Sequence, residues 1–124
     1  GITIVDGITS EDGYIIKKYN RETPKRVISE NSCEILMEYL IDVVENGTAR
    51  NIELENVGGA GGKTGSAQAI LNRKETIHGW FSGFYPKNDP KYVITVLVEE
   101  GISGSRTAAP VFESIIKEIY KINR

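Results

Sequence analysis

The apolar positions of this chain change period several times, and each change marks an element. Ile2 to Val5 is a short β-forming run closed by Asp6-Gly7, and Tyr14-Ile-Ile-Lys-Lys18 follows the Asp12-Gly13 pair. Two strands joined by a loop are expected over residues 1–19, then an extended connection over 20–28. From Glu30 to Glu45 the spacing becomes helical. Cys33, Leu36, Met37, Leu40 and Val44 fall on one stripe, while Glu34, Glu38, Asp42 and Glu45 lie mostly off it. A helix over 29–46 is predicted. Ser29 is placed to cap it, because a hydroxyl oxygen accepts from the free N–H groups of a first turn. Asn46-Gly47 is placed to end it, because glycine takes the left-handed conformation at little cost. The stripe, Cys33 and Met37 included, is expected to pack in the core.

Residues 47–62 read as a loop ending in Gly58-Gly-Ala-Gly-Gly62. A three-stranded sheet is predicted over 63–99, with strands at Lys63 to Ile70, His78 to Tyr85 and Tyr92 to Glu99. Short polar links, Asn88-Asp89-Pro90 among them, suit an antiparallel meander. The third strand is almost wholly apolar, which predicts an interior position. A closing helix is predicted over 107–123, with Pro110 in its first turn and Phe112, Ile115, Ile116 and Ile119 as its apolar stripe. Helices between and after the strands predict an α+β fold, an antiparallel β-sheet with packed helices. Residues 1–124 are read as a single partial domain.

Composition narrows the function. A net charge of -2 provides no basic footprint for nucleic acid. A single cysteine excludes an internal disulfide and a cysteine cluster around zinc. No apolar run approaches the roughly 20 residues needed to span a bilayer. The opening Gly1-Ile-Thr-Ile-Val-Asp6 has neither the basic start nor the apolar stretch of a signal peptide. The first residue is not methionine, as expected of a piece cut from a longer chain.

Candidate chemistry concentrates in Val57-Gly-Gly-Ala-Gly-Gly-Lys-Thr-Gly-Ser-Ala-Gln68. A phosphate-binding loop would need glycine five positions before Gly62, where Val57 stands, and a helix after Thr64, where strand-like residues follow. No later strand offers a clear acidic ligand for magnesium. The alternative is the Lys-Thr-Gly strand of serine acyl-transfer enzymes that handle penicillins. Alternation along a strand puts Thr64 and Ser66 on one side, where both hydroxyls can reach a ligand. Gly65 lets a substrate approach the backbone closely. Lys63 supplies a fixed positive charge. The Ser66 N–H is placed to help hold the oxyanion of a tetrahedral intermediate, a donor worth roughly 3 kcal/mol.

The surroundings of this tripeptide resemble the monofunctional (class B) penicillin-binding proteins. The matching stretches are Arg26-Val-Ile-Ser29, Val43-Val-Glu-Asn-Gly-Thr-Ala49, Gly61-Gly-Lys-Thr-Gly-Ser-Ala-Gln68, His78-Gly-Trp-Phe-Ser-Gly-Phe-Tyr-Pro86 and Ala108-Ala-Pro-Val-Phe112. Ser66 replaces the family's usual threonine and keeps its hydroxyl. The resemblance implies the C-terminal part of a D,D-transpeptidase domain, with the penicillin-binding and serine β-lactamase-like fold; the alternatives are a fragment of a serine β-lactamase or β-lactam-sensing receptor domain, against which Val43-Val-Glu-Asn-Gly-Thr-Ala49 argues, and a non-enzymatic binding module. Its partners would be D-alanyl-D-alanine stem peptides of peptidoglycan and β-lactams. Lys63, Thr64, Gly65 and Ser66 would bind substrate, with Lys63 and Ser66 also serving catalysis, and no metal or organic cofactor is implied. The parent would be membrane-anchored, with this domain on the extracytoplasmic side.

The family's nucleophile belongs to a Ser-x-x-Lys motif before Lys-Thr-Gly, with a Ser-x-Asn motif between them. Ser114-Ile-Ile-Lys117 and Ser29-Glu-Asn31 match those patterns, but the first lies after Lys63 inside the closing helix and the second at a helix start. Both are read as coincidence, so the nucleophile is expected upstream, in a missing N-terminal part of the same domain. The isolated piece is expected to be inactive, and its uncovered apolar surface is expected to favour a homodimer. His78 is expected to be structural, and Trp80, Phe81 and Phe84 to be sheet packing.

Overall fold

The computed structural model describes residues 5–20, 23, 25–71 and 73–123. They form two compact units, Gly1–Glu30 and Asn31–Arg124.

The first unit holds a hairpin of β1 (Gly7–Thr9) and β2 (Ile15–Lys18), with Gly7 opposite Lys18 and Ile8 opposite Lys17. Ser10 organises the turn. Its N–H donates to the Tyr14 carbonyl (2.8 Å), and its hydroxyl accepts from the Tyr14 N–H (3.1 Å). Gly13 takes φ 83°, a left-handed value that glycine adopts without strain. Gly7–Thr9 is the first strand among the described residues, and all of the expected Ile2–Val5 run except Val5 lies outside them. Pairing is counted back from the turn, and Asp6 still takes part by accepting from the Tyr19 N–H (3.0 Å). Residues 2–4 lie outside the described residues.

The helix α1 (Glu30–Glu45) has the predicted bounds, with Ser29 immediately before it. Its stripe is not the core stripe expected. Only Val44 is buried, Cys33, Met37 and Leu40 are half-buried, and Leu36 is 49% exposed. The helix meets the core of its unit through its last turn, at Val43 and Val44. Gly47 does not end the helix by a left-handed turn, since its φ is not positive. It is required for closeness: a Cβ there would stand 2.8 Å from Val43 Cα. The Ala49 N–H then donates to the Val43 carbonyl (3.0 Å), closing the helix end.

A 3-10 turn, Glu55–Val57, leads into the sheet β3 (Gly61–Leu71), β4 (Lys74–Tyr85) and β5 (Tyr92–Val98). The order is β3-β4-β5 and both pairs are antiparallel, the predicted meander. The β3–β4 hairpin is longer than expected. Pairing runs out to Leu71 and Lys74 and turns through Arg73 at φ 64°. Among the described residues the strand with a neighbour on each side is β4. In the described sheet β5 is an edge whose apolar residues face two ways. Val96 is buried, while Val93, on the opposite face, is 81% exposed.

A π-helical turn, Gly104–Ala108, precedes α2 (Ala109–Ile122), with Pro110 in the helix's first turn as predicted. The core forms where α2 lies on one face of the sheet. Phe112 and Ile116 are fully buried, and the Phe81 and Phe112 rings meet with centroids 4.4 Å apart. Burying side chains of this size stabilises by about 1.5–3 kcal/mol each.

Candidate active site

The glycines before Lys63 have separate causes. Gly58 and Gly59 adopt φ 103° and 62°, left-handed values that a side chain would strain. Gly61 and Gly62 give room to aromatic rings on opposite faces of the sheet. A Cβ at Gly61 would run into the Phe84 ring, and one at Gly62 would stand 2.6 Å from the Phe81 ring. The loop entering β3 is pinned from β4. The Tyr85 hydroxyl donates to the Val57 carbonyl (2.7 Å), and the Lys87 N–H donates to the carbonyls of Gly58 (3.2 Å) and Gly59 (3.1 Å). Burial, with the neighbouring Tyr120 and Tyr92, holds the Tyr85 phenol above its ordinary pKa, so it stays a protonated donor. The Lys87 ammonium also donates to Glu45, which raises its pKa and ties the end of α1 to the turn after β4.

Register then assigns the faces. Lys63 stands opposite Ser82, Thr64 opposite Phe81, Gly65 opposite Trp80 and Ser66 opposite Gly79. Opposed residues share a face. Thr64 and Ser66 therefore lie together on the α2 side, as alternation predicts, and Lys63 lies on the other. Lys63 is exposed, and its ammonium donates to the Thr64 carbonyl (2.7 Å). In the described sheet β3 is an edge strand, so one row of its backbone groups is unpaired.

Both hydroxyls have partners that alternation could not reveal. Thr64 Oγ1 lies 2.9 Å from Thr48 Oγ1, and Ser66 Oγ accepts from the Gly104 N–H at 3.2 Å. A Cβ at Gly104 would collide with the carbonyls of Gly65 and Trp80, so the turn before α2 seats backbone directly on the sheet. Gly65 differs from its neighbours. A Cβ there would meet only Trp80 Cβ, at an ordinary 3.4 Å. Packing among the described residues does not demand glycine at 65.

The remaining candidates have structural explanations. His78 Nδ1 accepts from the Glu100 N–H (3.3 Å), where Glu100 turns the chain at φ 53°. Phe81 and Phe84 are buried as expected, but Trp80 is 40% exposed on the Lys63 face. Ser114 Oγ donates to the Pro110 carbonyl (2.9 Å), a bond along its own helix. Lys117 pairs with Glu113 at 2.6 Å, a hydrogen bond that raises its pKa. Ser29-Glu-Asn31 straddles the start of α1.

The fold is that of penicillin-binding protein transpeptidases. The structure superimposes on Pseudomonas aeruginosa PBP2, solved in complex with WCK 5153, with a TM-score of 0.68 and 29% identity over 85% of this chain and 22% of that one. The family model described as the penicillin binding protein transpeptidase domain matches residues 2–117, and the chain belongs to that family. Among its relatives, the peptidoglycan D,D-transpeptidase FtsI homolog of Chlorokybus atmophyticus is 37% identical over 114 residues, which are 86% of this chain and 17% of the relative. The stage V sporulation protein D of Bacillus subtilis is 32% identical over 121 residues, 92% of this chain and 18% of the relative. The chain thus spans less than a fifth of the length of these two relatives. Among the described residues, no helix is long and apolar enough to cross a membrane.

Proposed function

We propose that the full-length protein carrying this chain is a monofunctional D,D-transpeptidase of peptidoglycan synthesis, and that β3 is its substrate-binding strand. A serine outside this chain attacks the carbonyl between two D-alanines. The terminal D-alanine leaves as the amine, and an ester acyl-enzyme forms. An amine from a neighbouring stem peptide then takes the acyl group and releases the serine. A β-lactam acylates the same serine by opening its ring.

In this reading the hydroxyls of Thr64 and Ser66 hold the substrate carboxylate, Lys63 supplies positive charge beside the nucleophile, and the Ser66 N–H contributes to the oxyanion hole. The observation that carries it is Gly65, a glycine between two same-facing hydroxyls on an edge strand that its own packing does not require. Close approach of a substrate backbone to β3 supplies the missing requirement. The remainder of the transpeptidase domain, with the nucleophile and the Ser-x-Asn motif, covers the open side of the site. A membrane anchor elsewhere in the protein holds the domain on the extracytoplasmic side, where peptidoglycan is assembled.

The test is acylation of the full-length protein by a fluorescent penicillin. Lys63→Ala is expected to slow acylation by about 10²-fold, the scale of removing one positioned electrostatic group. Its unfolding midpoint should stay near that of the parent, because Lys63 is exposed. Undiminished acylation would remove Lys63 from the site.

A further inference from the structure

The strand β3 does not orient its own hydroxyls. A hydroxyl has one proton and two lone pairs, whereas a carboxylate only accepts. Thr64 and Ser66 can hold a carboxylate only by donating, and each then has lone pairs to be satisfied by another donor. Ser66 has one whose direction is unambiguous, since the Gly104 N–H can only donate and lies 3.2 Å from Ser66 Oγ. That contact leaves the Ser66 proton free to point outward. For Thr64 the equivalent position is filled by Thr48 Oγ1, at 2.9 Å.

We propose that Thr48 is a positioning residue for ligand recognition, its hydroxyl donating to Thr64 Oγ1 so that Thr64 offers its proton to the ligand carboxylate. The inference rests on the reading of β3 as the substrate-binding strand. The backbone around Thr48 is held for such a task. Gly47 packs against Val43, the Ala49 N–H donates to the Val43 carbonyl (3.0 Å), and Ala49 is buried. The Thr48 side chain, by contrast, is exposed, so the bond contributes little to stability. A hydroxyl pair that adds little to the fold but fixes the direction of a proton has its consequence in binding.

Four variants of the full-length protein test this: Thr48→Val, Thr48→Ser, Thr64→Val and the Thr48→Val/Thr64→Val pair. Each is assayed for its second-order rate constant of acylation by benzylpenicillin and for its unfolding midpoint. Thr48→Val is expected to acylate about tenfold more slowly, the worth of one hydrogen bond, with little change in midpoint. Thr48→Ser should restore the rate. The double variant should be no slower than Thr64→Val alone, because Thr48 acts only through Thr64. The proposal is overturned if Thr48→Val acylates normally, if serine fails to restore the rate, or if the two losses multiply. A normal rate for Thr64→Val would overturn both this proposal and the reading of β3. A slow Thr64→Val beside a normal Thr48→Val would overturn this proposal alone.

Discussion

Gly62 and Gly83 face each other on β3 and β4, beneath the Phe81 and Phe112 rings. A Cβ at Gly83 would stand 2.8 Å from the tip of Phe112, the ring at the centre of the core. Gly83→Ala is therefore expected to destabilise the domain by about 1–3 kcal/mol, the usual cost of overpacking, read as a lower urea midpoint. An unchanged midpoint would show that both the aromatic pair and the Gly61 carbonyl, 2.5 Å from such a Cβ, can move aside. At this scale, period-2 alternation was sufficient to pair Thr64 with Ser66 and to put Lys63 on the other face. It carried no information on Thr48 or Gly104, because those partners come from segments that meet β3 only after the sheet and α2 have assembled. Nor could it separate Gly62, which packing requires, from Gly65, which packing leaves free.

At the scale of elements, periodicity located α1 and α2 to within a residue or two but misjudged how deeply α1 is buried. An apolar stripe at 3.6-residue spacing shows which face of a helix seeks cover, not whether cover is present. The strand β5 misled for a related reason. Its nearly continuous apolar sequence suggests an interior strand, while among the described residues it pairs with β4 alone, with Ile94, Val96 and Val98 toward the core and Val93 and Leu97 outward. In α2, Ser114 and Lys117 are engaged with Pro110 and Glu113 of their own helix. Ser114→Ala in the full-length protein is expected to leave penicillin acylation unchanged and to alter stability by less than about 0.5 kcal/mol. A loss of acylation would make Ser114 the nucleophile and invalidate the proposed location of the active serine.

At the scale of the whole molecule, the sheet in the described residues is covered by α2 on one face and largely open on the other, where Trp80, Val93 and Leu97 are exposed. Lys63 belongs to that open face, whereas the two hydroxyls belong to the covered one. The candidate site thus lies along the edge of β3 in the described sheet, with Lys63 on one face and the two hydroxyls on the other. The most direct measurement is intact mass after incubation with benzylpenicillin, for this chain and for the full-length protein side by side. One penicilloyl adduct is expected on the full-length protein and none on the chain alone. An adduct on the chain alone would place the nucleophile among these residues and overturn the proposed location of the active serine.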